Sequence, residues 1–440
     1  MKAAYCFFFM VCFTLPAAAY IDPGTGSMLF SLLTGLAVTA FFFVKNLIIS
    51  LKSGLLSKGN AAAQAKKERL VIYSEGKQYW NVFKPILEAL DKRGVDSAFY
   101  TSDSDDPGLS FQSSHIHAQF IGKGNAAYRF LNFLEADVCL MTTPALDVFQ
   151  LKRSPGVSHY AHILHAVTDA TFYRLFGIDY FDSVLLTGDY QRKDIRILEQ
   201  KRGLPEKRLV TVGCTYLDAL AERKARRILR RADPSGTTPP PPHEAHTAAH
   251  KTVLVAPSWG ANALLRRYAL ALLEPLANSS YHVIIRPHPQ SMFVEKDVVE
   301  TMRSALASHP NIEWNFDAEN NAVLSRADIL ISDFSGVIFD YAFLFERPVV
   351  YPSFTFDTRP YDLADIEEEA WTFRAIREIG VPLDEAMFAD IETALNAAIE
   401  NAQSVLKSER ARRLKDEAWM YRGEAGERVV DFLLEAGEKP

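Results

Sequence analysis

The sequence is poor in cysteine and has no excess of positive charge. It has four cysteines in 440 residues and no Cys-x-x-Cys pair, which excludes a disulfide scaffold and argues against a thiolate zinc site. Lysine and arginine number 48 against 54 aspartates and glutamates, a formal net charge of −6. No net basic field is therefore available to hold nucleic acid. Hydrophobic residues make up 48% and charged residues 23%, as in a globular protein.

Long uncharged runs occur only near the start of the chain. Lys2 precedes an apolar run that ends in Pro16 and three alanines. This pattern predicts a signal peptide over residues 1–19 or, alternatively, an uncleaved first membrane helix. Residues 27–44 are 18 uncharged positions, just enough to cross a hydrocarbon core of about 30 Å.

Positive charge follows this second apolar stretch. Because lysine and arginine mark the cytoplasmic end of a membrane helix, we expect an outside N-terminus, one crossing at 27–44 and a large cytoplasmic part. The lysines concerned are Lys45, Lys52, Lys58, Lys66 and Lys67.

From residue 68 onward, short apolar runs alternate with longer amphipathic ones. Such alternation predicts an α/β fold with a mostly parallel sheet covered on both faces, and a Rossmann-like N-terminal domain over 68–231. Strands are predicted at 70–73, 97–100, 116–121, 137–141, 158–164, 183–186 and 209–212, with helices at 79–92 and 190–201.

Residues 232–251 interrupt the pattern. They contain four consecutive prolines and three histidines, a composition typical of a semi-rigid linker. No strand or helix frames His243, His246 and His250, so we do not predict a metal site there.

The alternation resumes over 252–408 and predicts a second Rossmann-like domain, followed by closing helices at 409–440. Two doubly wound domains leave a cleft where the carboxyl ends of their strands meet, and ligands bind at those ends. Strands are predicted at 252–256, 281–285, 328–331 and 348–351, and helices at 263–277, 294–308, 337–345 and 391–402.

The segment Ile331-Ser-Asp-Phe-Ser-Gly336 lies between a predicted strand and a predicted helix. The free N–H groups of a helix start attract anions, Ser335 adds a hydroxyl, and Gly336 allows close backbone approach. This suits a diphosphate. The alternative is an ordinary N-cap formed by Ser332 or Asp333.

Two histidine-containing motifs also follow predicted strands. In Ile285-Arg-Pro-His-Pro289, Arg286 offers a fork for phosphate oxygens and His288 is held between prolines; a solvated loop histidine is the alternative. In the strand at 158–164, a spacing of six places His159 and His165 on one face and His162 on the other. His165 is placed to act as a general base; a hydrogen-bonded core histidine is the alternative.

Two lesser signals accompany these motifs. Ala256-Pro-Ser-Trp-Gly260 is another strand-to-loop turn, and Asp340 lies about one helical turn after Ser335. Trp259 could stack on a base, but we interpret it as a core residue.

At these residues the sequence resembles the CDP-glycerol glycerophosphotransferase family, the teichoic-acid polymerase and primase type with a GT-B fold. The resemblance spans about residues 155–405. It is carried by Ser332-Asp-Phe-Ser-Gly-Val-Ile-Phe-Asp-Tyr-Ala-Phe-Leu-Phe-Glu-Arg-Pro-Val-Val-Tyr351, by Arg286-Pro-His-Pro289 and by Ala256-Pro-Ser-Trp259.

The resemblance implies roles for these residues. His165 would deprotonate an acceptor hydroxyl, and His288 would be the second catalytic residue, holding the diphosphate of CDP-glycerol together with Ser332 and Ser335. No metal or other cofactor is implied. The remaining donor-binding candidates are Arg286, Asp333, Gly336, Asp340 and Ser258.

The sequence departs from the family pattern at three places. No lysine follows His165, Gly336 replaces a second serine, and Gly260 replaces an arginine. Two alternatives to a glycerophosphotransferase therefore stay open: a GT-B glycosyltransferase with another nucleotide-activated donor, and a degenerate nucleotide-binding domain. A nucleotide-sugar epimerase of similar fold is a weaker third.

The membrane segment and the resemblance together predict the setting of the protein. We expect it in the inner membrane of a bacterium, with the catalytic domains on the cytoplasmic side. Its partners would be a CDP-glycerol-like donor, a lipid-linked or glycan acceptor and the membrane, and no nucleic acid.

Overall fold

The computed structural model describes residues 67–232, 251–317, 320–353 and 355–438. The predicted segments at 1–19 and 27–44 lie outside these ranges, as do residues 233–250 of the predicted linker. Across the described ranges, no helix is both long enough and apolar enough to span a bilayer.

The first half of the described chain forms a parallel sheet of seven strands in the order β3-β2-β1-β4-β5-β6-β7. β1, β2, β4 and β5 are largely buried, as expected for strands covered on both faces. The strands are β1 (Glu68–Ser74), β2 (Ser97–Thr101), β3 (Ile116–Phe120), β4 (Ala136–Met141), β5 (Val157–Ile163), β6 (Ser183–Leu186) and β7 (Arg208–Thr211).

The second half forms a parallel sheet of six strands in the order β10-β9-β8-β11-β12-β13. The prediction of two parallel α/β sheets is therefore confirmed. The strands are β8 (Thr252–Val255), β9 (His282–Ile285), β10 (Ile312–Trp314), β11 (Ile329–Ile331), β12 (Val349–Pro352) and β13 (Val381–Leu383).

Helices connect the strands of both sheets. In the first half they are α1 (Trp80–Lys92), α2 (Asn125–Leu131), α3 (Tyr190–Arg202) and α4 (Thr215–Ala232). In the second half they are α5 (Leu264–Ala277), α6 (Ser291–Val294), α7 (Lys296–Ala305), α8 (Asn321–Arg326), α9 (Val337–Phe345), α10 (Trp371–Ile379), α11 (Ile391–Leu406), α12 (Glu409–Ala418) and α13 (Ala425–Glu438).

The last helix belongs to the core of the first domain. Val429, Val430 and Leu433 of α13 are buried in the same apolar cluster as Phe83 and Leu87 of α1. The chain therefore crosses back after the second sheet, and its C-terminus covers one face of the first.

The edge strands β10 and β13 were not predicted. β10 has only three half-buried residues, and β13 contains Pro382, which is tolerated only at edges because proline has no N–H to donate. The helices α2, α4, α8 and α10 were also missed.

Candidate functional site

The predicted site residues lie just beyond the carboxyl ends of strands in both sheets. His165 follows β5, Ser258 follows β8, and Arg286 and His288 follow β9. The segment 332–336 follows β11 and leads into α9, which carries Asp340. These strand ends are where an open parallel sheet binds ligands.

His165 and His288 belong to different domains and lie near enough to interact electrostatically. Burial lowers the pKa of His288 to about 4, and the nearby His165 and Arg286 contribute in the same direction. Burial also lowers the pKa of His165 to about 4. Both imidazoles are therefore neutral at pH 7, each with one N–H and one lone pair.

A backbone hydrogen bond defines the tautomer of His288. Its Nδ1 accepts a hydrogen bond from the backbone N–H of Gln290 at 3.1 Å. Because an accepting nitrogen carries no proton, the proton of the neutral ring is on Nε2. His288 is thus a hydrogen-bond donor through Nε2, as binding of a diphosphate requires.

Trp259 does not fill the core, contrary to our interpretation. It is half-buried, and its ring centroid lies 6.3 Å from that of His288. The guanidinium carbon of the exposed Arg174 lies 5.5 Å from the same ring. Trp259 therefore joins an exposed cation of the first domain to the histidine motif of the second.

Ser332 and Asp333 are engaged within the protein. The Ser332 hydroxyl donates to the carbonyl of Ala256 at 2.6 Å. The Asp333 carboxylate accepts from the N–H groups of Ser258 at 2.9 Å, Leu264 at 2.8 Å and Phe334 at 2.7 Å. These side chains hold the loop after β8 in place, and the half-buried Ser335 is the serine left to face a donor.

Arg286 does not offer its guanidinium to a phosphate. The group is buried and donates to the Asn315 side chain, to the Asp317 carbonyl at 2.7 Å and to Asn320 Oδ1 at 2.8 Å. In this structure the predicted phosphate fork instead ties β9 to the segment after β10.

Gly336 marks a close approach between the domains. A Cβ placed on it would lie 3.0 Å from the Cβ of Ala166, the residue after His165. Gly336, which stands where the family has a second serine, is thus the residue at which the His165 loop contacts the start of α9. Two small residues allow that contact.

Asp340 is buried behind this contact. Burial raises its pKa to about 8, partly offset by a hydrogen bond with Tyr216. Tyr216 in turn accepts from the Asn320 amide at 2.9 Å. Asp340 is therefore mostly protonated at pH 7 and belongs to an internal network rather than facing a ligand as an anion.

The alternation predicted for the three histidines holds only inside the strand. β5 ends at Ile163, so the period of two does not extend to His165. His162 and His165 consequently meet on one residue, Tyr173, instead of pointing apart. His159 bonds to Ser183 at 2.8 Å.

Sequence reasoning missed three residues around His165. The ring of Tyr79 lies 5.4 Å from that of His165 in edge-on contact, and Tyr173 approaches its Nδ1 to 3.4 Å. Glu75 follows β1; burial raises its pKa, and it acts electrostatically on both tyrosines. The one signal in the sequence was the position of Glu75, two residues after the strand predicted at 70–73.

The arrangement of the two sheets defines the fold class. Two doubly wound parallel sheets with polar groups at facing strand ends form a GT-B fold. The chain is similar to the wall teichoic acid polymerase TagF, in a histidine-to-asparagine variant with CDPG (TM-score 0.56, 16% identity, 92% of this chain and 98% of that chain). It is also similar to the UDP-GlcNAc 2-epimerase of Neisseria meningitidis (TM-score 0.55, 14% identity, 83% and 99%).

A family model matches part of the sequence. Residues 191–371 match the family model of CDP-Glycerol:Poly(glycerophosphate) glycerophosphotransferase. This confirms the resemblance and, with it, the prediction of a glycerophosphotransferase-like enzyme. The matched range contains His288 and the 332–336 segment, whereas His165 lies upstream of it. No curated protein matches the chain.

Proposed function

We propose that the protein is a membrane-anchored transferase that moves glycerol phosphate from CDP-glycerol to a hydroxyl of a lipid-linked or surface-glycan acceptor and releases CMP. The main support is the position of His165 and His288, two imidazoles from different domains that are neutral at pH 7 and near enough that a charge on His165 would lower the pKa of His288. One can take a proton while the other donates a hydrogen bond.

These two histidines can support the transfer of glycerol phosphate. His165 takes the proton of the acceptor hydroxyl, whose oxygen attacks the glycerol-bearing phosphorus. The bond from that phosphorus to the bridging oxygen breaks, and CMP leaves with the electron pair. Phosphoryl transfer depends mainly on positioning and charge stabilisation, so neutral donors aimed at the diphosphate are useful.

Three groups would hold the diphosphate. The first turn of α9 offers backbone N–H groups next to Ser335, and His288 donates from Nε2. Because Arg286 is engaged elsewhere, Arg174 would supply the cation from its position over Trp259.

The uncharged stretch at 27–44 supports a membrane setting. We propose that residues 27–44 anchor the protein in the inner membrane of a bacterium, with the domains after residue 67 on the cytoplasmic side. There they would meet both a soluble nucleotide donor and an acceptor carried in the membrane. A reporter fused after Pro440 should report a cytoplasmic location; a periplasmic signal would contradict this topology.

The test of activity is CMP release from CDP-glycerol by the purified protein in a native-lipid extract, with CDP-ribitol and UDP-sugars in parallel. We expect release from CDP-glycerol and its loss in His165→Ala and His288→Ala. His117→Ala, on an exposed residue of β3, is the matched control and should keep full activity.

The alternatives predict different results. Release from a UDP-sugar alone would keep the fold and replace the donor, giving a GT-B glycosyltransferase. Nucleotide binding without release from any donor, in an extract shown to contain acceptor, would favour a degenerate binding domain.

A further inference from the structure

Tyr173 links two histidines of the first domain. Its hydroxyl lies 3.0 Å from Nε2 of His162 and 3.4 Å from Nδ1 of His165. Its ring centroid is 5.3 Å from that of His162 and 6.3 Å from that of His165. Because His162 is fully buried, this chain of side chains runs from the core to the cleft.

The protein holds Tyr173 in place from both domains. Its backbone N–H donates to the carbonyl of Ala170 at 3.2 Å, and its carbonyl accepts from the backbone N–H of Asp362 in the second domain at 2.9 Å. His162 is held on β5, where its ring also packs 4.9 Å from that of Phe181. The three-residue chain is thus built on a strand and on a segment that both domains secure.

All three side chains are neutral near pH 7. Burial lowers the pKa of His162 to about 3, with His165 contributing in the same direction, and burial raises the pKa of Tyr173. The other titratable groups around this chain are Tyr79, Glu75 and His288. A neutral imidazole has one N–H, so its partners decide which nitrogen carries it.

We propose that Tyr173 and His162 are positioning residues that hold His165 as the Nδ1–H tautomer and leave its Nε2 lone pair for the acceptor hydroxyl. An imidazole nitrogen accepts better than a phenol oxygen, so the phenol donates in the shorter contact, to His162. Its oxygen then accepts the longer contact from Nδ1–H of His165. This inference rests on the proposed function for the role of His165 as a base.

The two catalytic candidates would then be opposite tautomers. His288 carries its proton on Nε2 because the N–H of Gln290 occupies Nδ1, whereas His165 carries its proton on Nδ1. Each ring would present to the cleft the nitrogen that its task requires, a donor toward the diphosphate and a lone pair toward the acceptor.

The direct test is nitrogen NMR of the full chain labelled with ¹⁵N at its eleven histidines. The His165 signals are identified as those lost in His165→Asn. We expect the Nδ1–H tautomer in the unmodified protein and a shift toward Nε2–H in Tyr173→Phe. An Nε2–H tautomer in the unmodified protein, or no change in Tyr173→Phe, would overturn the proposal.

Kinetics supply the second readout. A positioned base contributes on the order of 10²- to 10⁴-fold, so we expect Tyr173→Phe to lower kcat about 10- to 100-fold with little change in KM. His162→Gln has a side-chain oxygen that can accept a hydrogen bond from the phenol, whereas His162→Leu has no acceptor. His162→Gln should therefore retain more activity than His162→Leu. Equal losses in both would count against the positioning role.

The matched control is Tyr160→Phe, the same exchange on β5. The Tyr160 hydroxyl accepts from the backbone N–H of Ser154 at 2.9 Å and does not touch His165, so stability falls while the tautomer stays. The two proposals fail separately: the expected tautomer without CMP release refutes the transferase reading alone, and CMP release with an unchanged tautomer in Tyr173→Phe refutes the positioning role alone.

Discussion

At the scale of single residues, the motifs divide into side chains that build the loops and side chains that face the cleft. Ser332, Asp333 and Arg286 have their polar atoms engaged inside the second domain. His288 and Ser335 are only half-buried. A substitution at one of the first three should therefore change activity by altering the geometry of the loops. A substitution at His288 or Ser335 should change it by removing a direct contact with the donor.

Asp340 makes the stability of the protein depend on pH. Its folded pKa of about 8 exceeds the ordinary value of 3.8. Between these two values the unfolded state is ionised while the folded state keeps its proton, so folding stability falls as pH rises through this window and is level above it. Asp340→Asn cannot ionise and should escape this loss.

The measurement is urea unfolding at pH 5, 7 and 9. We expect the free energy of unfolding of Asp340→Asn to gain on that of the unmodified protein as pH rises to about 8. Asp384→Asn, the same exchange on an exposed carboxylate, is the matched control. A constant difference for Asp340→Asn at all three pH values would refute the assignment.

At the scale of elements, the packing of α13 on the distant α1 explains why position 426 is a glycine. The helix lies against α1, and a Cβ at Gly426 would be 2.5 Å from the carbonyl oxygen of Pro85. Nearby, Arg93, the residue that follows α1, forms ion pairs with Glu427 and Asp431 of α13. Glycine at 426 therefore sets how closely the two helices approach.

Two glycine-to-alanine exchanges in α13 should differ in their effect on the free energy of unfolding. Gly426→Ala forces the helix away from Pro85, and overpacking of this kind costs about 1–3 kcal/mol. A Cβ at Gly437 would be 3.7 Å from Leu70 and Val138, so Gly437→Ala should be neutral or slightly stabilising. Denaturant unfolding of both variants measures this, and equal effects would contradict the packing argument.

At the scale of the whole molecule, a buried ionic cluster joins the two domains beside the site. Arg202 of α3 contacts Asp179 at 2.7 Å in its own domain, and Asp362 at 2.8 Å and Asp365 at 2.6 Å in the other. Asp362 also accepts from the N–H of Gly177 at 3.1 Å. The cluster lies on the segment that includes Tyr173, so it secures the domain interface and the site together.

Arg202→Met should destabilise the protein strongly. It leaves the buried carboxylates of Asp179 and Asp362 without their cation, and breaking a buried pair in this way costs about 3–5 kcal/mol. Lys193→Met removes a cross-domain pair with Glu368 in which both side chains are mostly exposed, so water screens the attraction and its loss should hardly change stability. Thermal unfolding of both variants compares them; similar shifts would contradict the role of burial.

Much of the fold could be predicted because short apolar runs that alternate with longer amphipathic segments are typical of buried parallel strands connected by helices. β6 and α9 have the predicted bounds, and the other predicted elements shift by a few residues. β10 and β13 were missed because three-residue edge strands leave no periodic pattern. Glu75 and Tyr79 were missed because a single polar residue after a strand is too weak a signal until its neighbours in space are known.

The sequence by itself established the α/β class, the two-domain order and the family resemblance, since each depends on residues close together in the chain. It could not assign Arg286 and Asp333 to internal hydrogen bonds, because their partners lie at 315–320 and 258–264. Nor could it bring His162 and His165 onto Tyr173, or place His288 near His165. Those relations arise only when segments far apart in the chain pack together, and they determine which protonation state each side chain keeps.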